Sequence, residues 1–408
     1  MDDAMNFQVD AFGTLVIAVI VLFIGRFLVH RIKFLRNYNI PEPVVGGLIA
    51  AILAFLLFKF FGISAKFSSE IQTILMLMFF TSIGLSASFV KLKEGGSALF
   101  IFLLCVIGFV LVQNAVGISL AKMLGLDPLI GLIVGSITLT GGHGTAGAWG
   151  TVLEQEHGIH GAIVLGMASA TFGLIIGGVA GGPVAKFLIK RYKLETVDND
   201  PNDDTPAHDN SAAFEYRRKT RLITADNAIS TLGMFALCIF VANQMTEFSK
   251  GQWFELPTFV WALGTGVIVR NVLEHVFKVN IFDRAIDVFG NTSLSLYLAM
   301  ALLSLQLWLL ADLAGPLVII LVAQTAVLAL YTSFVTFKVM GGNYDAAVLA
   351  AGHCGFGMGA TPTAIANIQA VTDRYGPSHK AFLIIPLCGA FFIDIINAFV
   401  IQTLIKFF

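Results

Sequence analysis

Ten runs of about 20 predominantly apolar residues dominate this chain of 408 residues. Each run is long enough to cross the roughly 30 Å hydrocarbon core of a bilayer as an α-helix. Hydrophobic residues make up 57% of the chain and charged residues only 12%, a balance far from that of a soluble domain. The sequence therefore predicts an all-α polytopic membrane protein with ten transmembrane helices. The predicted spans are about 12–29, 44–62, 71–90, 97–124, 161–188, 222–246, 257–273, 288–311, 315–337 and 380–406.

Basic residues cluster at the ends of alternate apolar runs, and this arrangement predicts the topology. In the first half the clusters are HRIKFLR at 30–36, KLK at 91–93 and KRYK at 190–193, whereas residues 1–11 and 63–70 hold one lysine between them. Because cytoplasmic loops carry an excess of Lys and Arg, the N-terminus is predicted to lie outside, and ten crossings return the C-terminus to the same side. The formal net charge of -1 argues against a nucleic-acid partner.

A polar segment rich in Asp and Pro, residues 189–221, separates the spans into two sets of five. This composition predicts a disordered cytoplasmic linker between an N-terminal unit, residues 1–188, and a C-terminal unit, residues 222–408. Because the first unit contains an odd number of spans, the second unit is predicted to be inverted relative to the first.

An internal repeat supports this inversion. Residues 127–148 align without a gap with residues 345–366, and identical pairs include Gly141 with Gly359 and Thr145 with Thr363. Both segments lie between the fourth and fifth spans of their half, and both are interrupted by glycines. Broken backbone at membrane depth is tolerated only where protein buries it or where it lines a wet cavity. The sequence therefore predicts two re-entrant hairpins, at about 127–157 and 343–372, which enter from opposite sides and meet near the midplane.

The helix that leaves each hairpin tip is predicted to bind an anion, because its N-terminus offers free N–H groups and partial positive charge. At the second tip we expect Thr361 to be the N-cap and Pro362 to be the first helical residue. The alternative is that the glycines only allow close helix packing, and His143 either binds a proton or caps a carbonyl group. The candidate substrate-binding residues are Gly141, Gly142, His143, Gly144 and Thr145 at the first tip and Gly359, Thr361, Thr363 and Asn367 at the second.

Polar side chains inside the apolar runs are further candidates. Asp394 is the one carboxylate deep in a span, and Asn397 follows three residues later on the same helix face. A buried acid is by default a site residue, here for a cation or a substrate ammonium group, although a structural hydrogen bond to a hairpin is the alternative. Ser169 and Thr171 could add oxygen ligands or bond back to their own helix.

Four more polar residues in the spans are expected to have structural roles. Gln113, Asn114 and Gln324 are predicted to bond between helices. Arg270 lies near the end of a span, where it is expected to extend its charged group toward water.

Several long motifs closely resemble the glutamate:sodium symporter family. The resemblance covers nearly the whole chain except the termini and the linker, and it is carried by IPEPVVGGL, LTGGHGTAGAW, FGNTSLSLYLAMAL, NYDAAVLAAGHCGFGMGATPTAIANIQAVT and GPSHKAFLIIPLCGAFFIDIINAF. It implies sodium-coupled L-glutamate uptake across the bacterial inner membrane, with sodium as coupling ion, no cofactor and both termini periplasmic. It also implies an architecture related to the sodium/citrate carriers, a homodimer in the lipid bilayer and elevator-type movement of the hairpins.

The family's two glycine motifs carry over to this sequence residue by residue. The first corresponds to Gly141, Gly142, His143 and Gly144, and the second to Gly355, Phe356, Gly357 and Gly359. Sodium requires only oxygen ligands, which broken backbone supplies without a metal motif. The predicted sodium-binding residues are Gly355, Phe356, Gly357, Asp394, Ser169 and Thr171, and Asp394 and Asn397 complete the predicted substrate site.

Other function classes fit the sequence less well. A cation channel could use GFGMG as a carbonyl filter, but such a filter needs several identical loops around one axis. An enzyme is not expected, because Asp394 has no second deep carboxylate and no serine has the pattern of an activated nucleophile. A sodium-coupled carrier of another small carboxylate stays open as an alternative.

Overall fold

The computed structural model describes residues 5–37, 40–61, 63–90, 96–194, 223–252, 254–279, 281–303 and 314–408. Helices occupy all ten positions at which spans were predicted. Residues 195–221 of the predicted linker, residue 222 and the end of the predicted span 288–311 lie outside the described part of the chain. The first half contains α1 (Ala11–Arg31), a short helix (Lys33–Asn37), α2 (Glu42–Phe61), α3 (Glu70–Ser86), α4 (Gly96–Met123), α5 (Pro128–Ile137), α6 (Gly142–Glu156) and α7 (Ala162–Tyr192).

The second half repeats this order of helices. It contains α8 (Ala225–Ser249), α9 (Thr258–His275), α10 (Asp283–Leu303), α11 (Ala314–Val339), α12 (Tyr344–Gly357), α13 (Thr361–Tyr375) and α14, which comprises His379–Leu387, the π-helical turn Cys388–Phe392 and Ile393–Ile405. Six of these helices, namely α1, α4, α7, α8, α10 and α11, are long and apolar enough to cross a membrane. The described chain is thus a multi-pass helical membrane protein.

A small parallel sheet departs from the all-α prediction. Met5–Val9 pairs with Ile63–Phe67, and Met5 lies opposite Ile63. Parallel strands need a crossover connection, which α1 and α2 supply here because the first strand precedes α1 and the second follows α2. Each strand has only five residues, so the alternation of polar and apolar residues that indicates a strand is too short to stand out beside the long apolar runs.

The helices pack in two groups, which we name the scaffold group (α1–α3 and α8–α10) and the hairpin group (α4–α7 and α11–α14). Within the scaffold group, glycines bring helices into backbone contact. A Cβ on Gly46 would lie 2.1 Å from the carbonyl oxygen of Val21, and one on Gly84 would lie 2.1 Å from that of Leu263. Such close crossings join α2 to α1 and α3 to α9.

Arg270 in α9 is buried, so the expectation that it reaches toward water is wrong. Its guanidinium group bonds to the carboxylates of Glu274 and Asp283 and donates to the carbonyl oxygen of Leu85 at 3.3 Å. The reason is tertiary, because α3 and α10 bring these partners to the end of α9. Arg270 therefore ties three helices of the scaffold group together.

We predict that Arg270→Leu lowers stability by about 2 kcal/mol, because hydrogen bonds to charged groups are lost while the apolar volume is kept. Thermal unfolding of the purified protein in detergent should show a melting temperature lower by roughly 2 °C, because the unfolding entropy of a chain of this length is large. Arg284→Leu is the matched control, since Arg284 is exposed on the neighbouring helix. Equal melting temperatures for the two variants would contradict the prediction.

Candidate functional site

The first hairpin consists of α5 and α6. Asp127 caps α5 by accepting a hydrogen bond from the amide of Leu129 at 2.8 Å. The helix is interrupted at Gly135, whose φ of -100° and ψ of -132° are not helical. A turn follows, and α6 begins at Gly142, which has a φ of +68°. Such a positive φ favours glycine.

The position of this break differs from the prediction. Residues 128–140 were expected to be helical up to an irregular GGHGT, but His143 to Thr145 belong to α6. Side chains from two other helices support the break at Gly135. Asn114 accepts from the amide of Ser136 at 3.0 Å, and Asn397 donates to the carbonyl oxygen of Ser136 at 2.9 Å. Since buried backbone groups need partners, these two side chains allow a break that the local sequence does not reveal.

The second hairpin consists of α12 and α13. Cys354 to Gly357 were expected to be irregular, but they form the last turn of α12. Ala360 occupies the N-cap position of α13, so the assignment of Thr361 as the N-cap is wrong. The hydroxyl of Thr361 instead donates to the carbonyl oxygen of Gly389 at 2.7 Å, because the π-helical turn of α14 approaches this tip.

The carbonyl groups of the second tip each face a different element. The carbonyl of Gly357 accepts a hydrogen bond at 2.9 Å from Gln113 of α4. A Cβ on Gly173 of α7 would lie 2.2 Å from the carbonyl oxygen of Met358. A Cβ on Gly142 would lie 3.7 Å from the carbonyl oxygen of Gly359, so the two tips are in contact.

A cavity of about 530 Å³ lies between the scaffold group and the hairpin group, at the point where the tips meet. This volume lies within the range of pockets that bind small molecules. The wall of the hairpin group is formed by Thr140, Gly141, Gly142, His143, Gly144, Leu174, Phe356, Gly359, Ala360, Thr361, Pro362, Thr363, Gly389, Ile393 and Asp394. The wall of the scaffold group includes Glu42, Phe79, Ser82, Ser86, Asp287, Gly290, Asn291, Leu294 and Ser295.

The charge of this wall restricts how ligands can be held. Among the described residues that line the cavity there is no Lys or Arg, whereas Asp394 contributes a carboxylate from the hairpin group and Glu42 and Asp287 contribute carboxylates from the scaffold group. The hydroxyl of Thr363 is buried and has no hydrogen-bond partner in the described structure. An anion in the cavity would therefore be bound by N–H and hydroxyl groups, and a cationic group would be bound by Asp394.

Nine predicted site residues line the cavity, and the other predicted residues lie behind its wall. Those in the wall are Gly141, Gly142, His143, Gly144, Phe356, Gly359, Thr361, Thr363 and Asp394. Asn367 donates to the carbonyl oxygen of Gly177 at 2.7 Å, and Asn397 bonds to the first hairpin as described above. These two amides connect hairpins to α7 and α14. The remaining residues outside the wall are Thr145, Gly355, Gly357, Ser169 and Thr171.

The hydroxyls of Ser169 and Thr171 bond back to their own helix, which was the alternative to a role as oxygen ligands. Ser169 donates to the carbonyl oxygen of Leu165 and Thr171 to that of Met167, both at 2.8 Å within α7. The hydroxyl of Thr171 also lies 3.0 Å from Nε2 of His143. Thr171 therefore fixes the imidazole at the cavity wall, and a sodium-binding role for either hydroxyl stays a prediction.

The scaffold wall contains polar residues that the sequence reasoning did not select. Asp287, Asn291 and Ser295 lie four residues apart in α10, so they share one face of the helix. A polar stripe at helical spacing in an otherwise apolar span is a signal that could have identified them. Glu42 and Ser86 add polar groups from the ends of α2 and α3.

Comparison with known proteins determines the family. The sequence profile of the sodium/glutamate symporter family matches residues 7–377, which is most of the chain. The chain belongs to the sodium/glutamate symporter family. It is 51% identical over 396 residues to the sodium/glutamate symporter of Escherichia coli (strain K12), and the match covers 97% of each chain. It is 50% identical over 395 residues to the sodium/glutamate symporter of Haemophilus influenzae, covering 97% of this chain and 96% of the relative. The sodium/glutamate symporter family consists of transporters and not of enzymes.

Proposed function

We propose that the chain couples inward sodium movement to L-glutamate uptake across the bacterial inner membrane. The observation that carries this proposal is the cavity between the two helix groups. Two helix N-termini, the unpaired hydroxyl of Thr363 and the carboxylate of Asp394 converge there, which suits a small dicarboxylate that also carries an ammonium group. The match to sodium/glutamate symporters over nearly the whole chain supports the same assignment.

The substrate carboxylates would be bound at the starts of α6 and α13. The amides of the first turn of each helix, together with the hydroxyl of Thr363, supply hydrogen bonds to anionic oxygens. Asp394 would offset the ammonium group or a sodium ion. The carbonyls of Gly355 to Gly357 lie in the last turn of α12, where the partial negative charge favours a cation such as sodium.

The proposed architecture is ten transmembrane helices in two inverted five-helix repeats. Equivalent packing in the two halves supports it, because α1 packs on α2 as α8 packs on α9, and α2 packs on α10 as α9 packs on α3. The pairing of the strands before α1 and after α2 is consistent with both segments lying on the periplasmic side. With ten crossings both termini would be periplasmic.

Elevator-type movement and a homodimer complete the proposal. The cavity separates the hairpin group from the scaffold group, so a shift of one group against the other would open the tips to either side. The scaffold group would be the fixed part in the dimer. Apolar side chains exposed along α1 provide a surface for lipid, among them Phe12, Val16, Ile20, Phe23 and Phe27.

The test is uptake of labelled L-glutamate into proteoliposomes in which sodium is replaced by potassium at fixed membrane potential and pH. We expect uptake to fall to the background of protein-free liposomes, because potassium is larger and differs from sodium in the coordination it requires. Unlabelled glutamate and citrate serve as competitors, since only glutamate should compete at equal concentration. Uptake that is unchanged when sodium is replaced by potassium would contradict sodium symport. Stronger competition by citrate than by glutamate would favour another carboxylate as substrate.

A further inference from the structure

One side chain that belongs to neither hairpin connects both tips. The Nε2 group of Gln113 donates to the carbonyl oxygen of Gly357 at 2.9 Å, and its Oε1 accepts a hydrogen bond at 2.7 Å from the hydroxyl of Thr140. Thr140 lies in the turn of the first hairpin, whereas Gly357 ends α12 of the second. The side-chain amide of Gln113 thus donates to the second tip and accepts from the first.

Gln113 is fully buried and does not line the cavity, so it cannot be a ligand of the transported species. Gln324 in α11 contacts Gln113 at its backbone, where Nε2 of Gln324 donates to the carbonyl oxygen of Gln113 at 2.7 Å, so this bond does not orient the side-chain amide. In a buried environment an amide that lost one of these partners would leave an unpaired polar group, which is costly. The orientation of the Gln113 amide is therefore tied to the positions of both tips at once.

We propose that Gln113 is a positioning residue that makes sodium and glutamate binding depend on each other, an inference that rests on the proposed function. The amide is planar, so a rotation that follows the hydroxyl of Thr140 also moves the donor for Gly357. Binding at one tip thereby biases the conformation of the other. Thermodynamic linkage requires the effect to be reciprocal, so sodium raises glutamate affinity by the same factor as glutamate raises sodium affinity.

The residues that follow Gly357 connect its carbonyl group to the wall of the cavity. The next carbonyl, that of Met358, is packed against α7 at Gly173, and the one after, that of Gly359, faces Gly142 of the first tip. Only three residues, Met358 to Ala360, separate the two helices of the second hairpin. A change in the orientation of Gly357 is therefore transmitted directly to the start of α13, where the cavity begins.

The experiment compares Gln113→Met with Gln324→Met in proteoliposomes. Both variants replace a buried glutamine by an apolar side chain of similar length at adjacent positions in the hairpin group, but Gln324 reaches neither tip. The readout is the KM for glutamate at limiting and at saturating sodium. For Gln113→Met the ratio of these two values should shrink by about tenfold, which corresponds to one lost interaction of about 1.4 kcal/mol. For Gln324→Met the ratio should equal that of the wild type.

A second pair of variants tests the same bond from the other side. Thr140→Val removes the hydroxyl with little change in shape, whereas Thr140→Ser retains it. We expect the ratio to shrink for Thr140→Val, to be restored by Thr140→Ser, and to change no further when Thr140→Val is combined with Gln113→Met.

Three outcomes are distinguishable. A sodium-dependent KM in the wild type with the same ratio in Gln113→Met overturns the positioning role, even if the maximal rate falls, because lost rate alone reflects a structural role. An equal loss of the ratio in Gln324→Met overturns it as well. A wild-type KM that does not respond to sodium contradicts the proposed function itself.

Discussion

Replacing Asp394 by asparagine is expected to lower kcat/KM for glutamate uptake by about 100-fold. The substitution keeps the size of the side chain but removes the carboxylate that the hairpin group contributes to the cavity, in a lining where no Lys or Arg is found among the described residues. Loss of one partner from a desolvated charge pair costs about 2–5 kcal/mol. Both the apparent sodium affinity and the apparent glutamate affinity should weaken, measured as initial uptake rates in proteoliposomes over a range of each.

Asp373→Asn is the matched control for this experiment. Asp373 is an exposed residue near the end of α13 and does not line the cavity. Its neutralisation should change uptake by no more than about twofold, as for most surface substitutions. Unchanged affinities for both sodium and glutamate in Asp394→Asn would show that this carboxylate has only a structural role.

The second large effect is expected for Gly173→Ala, which should lower uptake by about 100-fold without removing any polar group. A Cβ at this position would lie 2.2 Å from the carbonyl oxygen of Met358, so the second tip would have to retreat by about 1 Å. Displacements of this size at a binding site can reduce rates by about two orders of magnitude. Initial uptake rates, normalised to the amount of folded protein, provide the measurement.

Gly182→Ala offers a control in the same helix. A Cβ on Gly182 would have no atom within 4 Å beyond its own helix. Alanine is favoured over glycine in a helix by about 1 kcal/mol, so this variant should transport normally and melt at an equal or higher temperature. Similar uptake by Gly173→Ala and Gly182→Ala would mean that the close approach of α7 to the second tip does not matter for transport.

These expected results follow from one arrangement. The hairpin tips bring helix ends and hydroxyl groups to a cavity, Asp394 adds a carboxylate to the same wall, and α7 supports the second tip from behind. The scaffold wall contributes polar groups on α10, including Asn291 and Ser295. Substrate held between the two walls would contact both helix groups at once.

The sequence predicted the helices well because the bilayer simplifies the problem. A span must be about 20 apolar residues long, so the apolar runs predicted the positions of α1, α4, α7 and the other long helices closely. The glycine motifs also located the two hairpins, since Pro128–Ile137 and Tyr344–Gly357 are followed by the turns that form the tips. Of the nine predicted site residues that line the cavity, eight belong to these two hairpins and the ninth is Asp394 of α14.

The details of the tips could not be predicted, because they depend on side chains from distant parts of the chain. The break at Gly135 is supported by Asn114 and Asn397, and the hydroxyl of Thr361 is used by Gly389 of α14 rather than by its own helix. The scaffold wall was missed because Asp287 and its neighbours become part of a site only when α10 packs opposite the tips.

Local hydrophobicity, glycine content and motifs were enough to predict which segments are apolar helices, which two of them lead into glycine-rich turns and which family the chain resembles. Which of the candidate residues reach the cavity and which support the backbone behind it depends on how the helices pack. The physical reason is that a buried polar group must find a partner. In this protein, the partners of Gln113, Ser136 and Thr361 come from other helices.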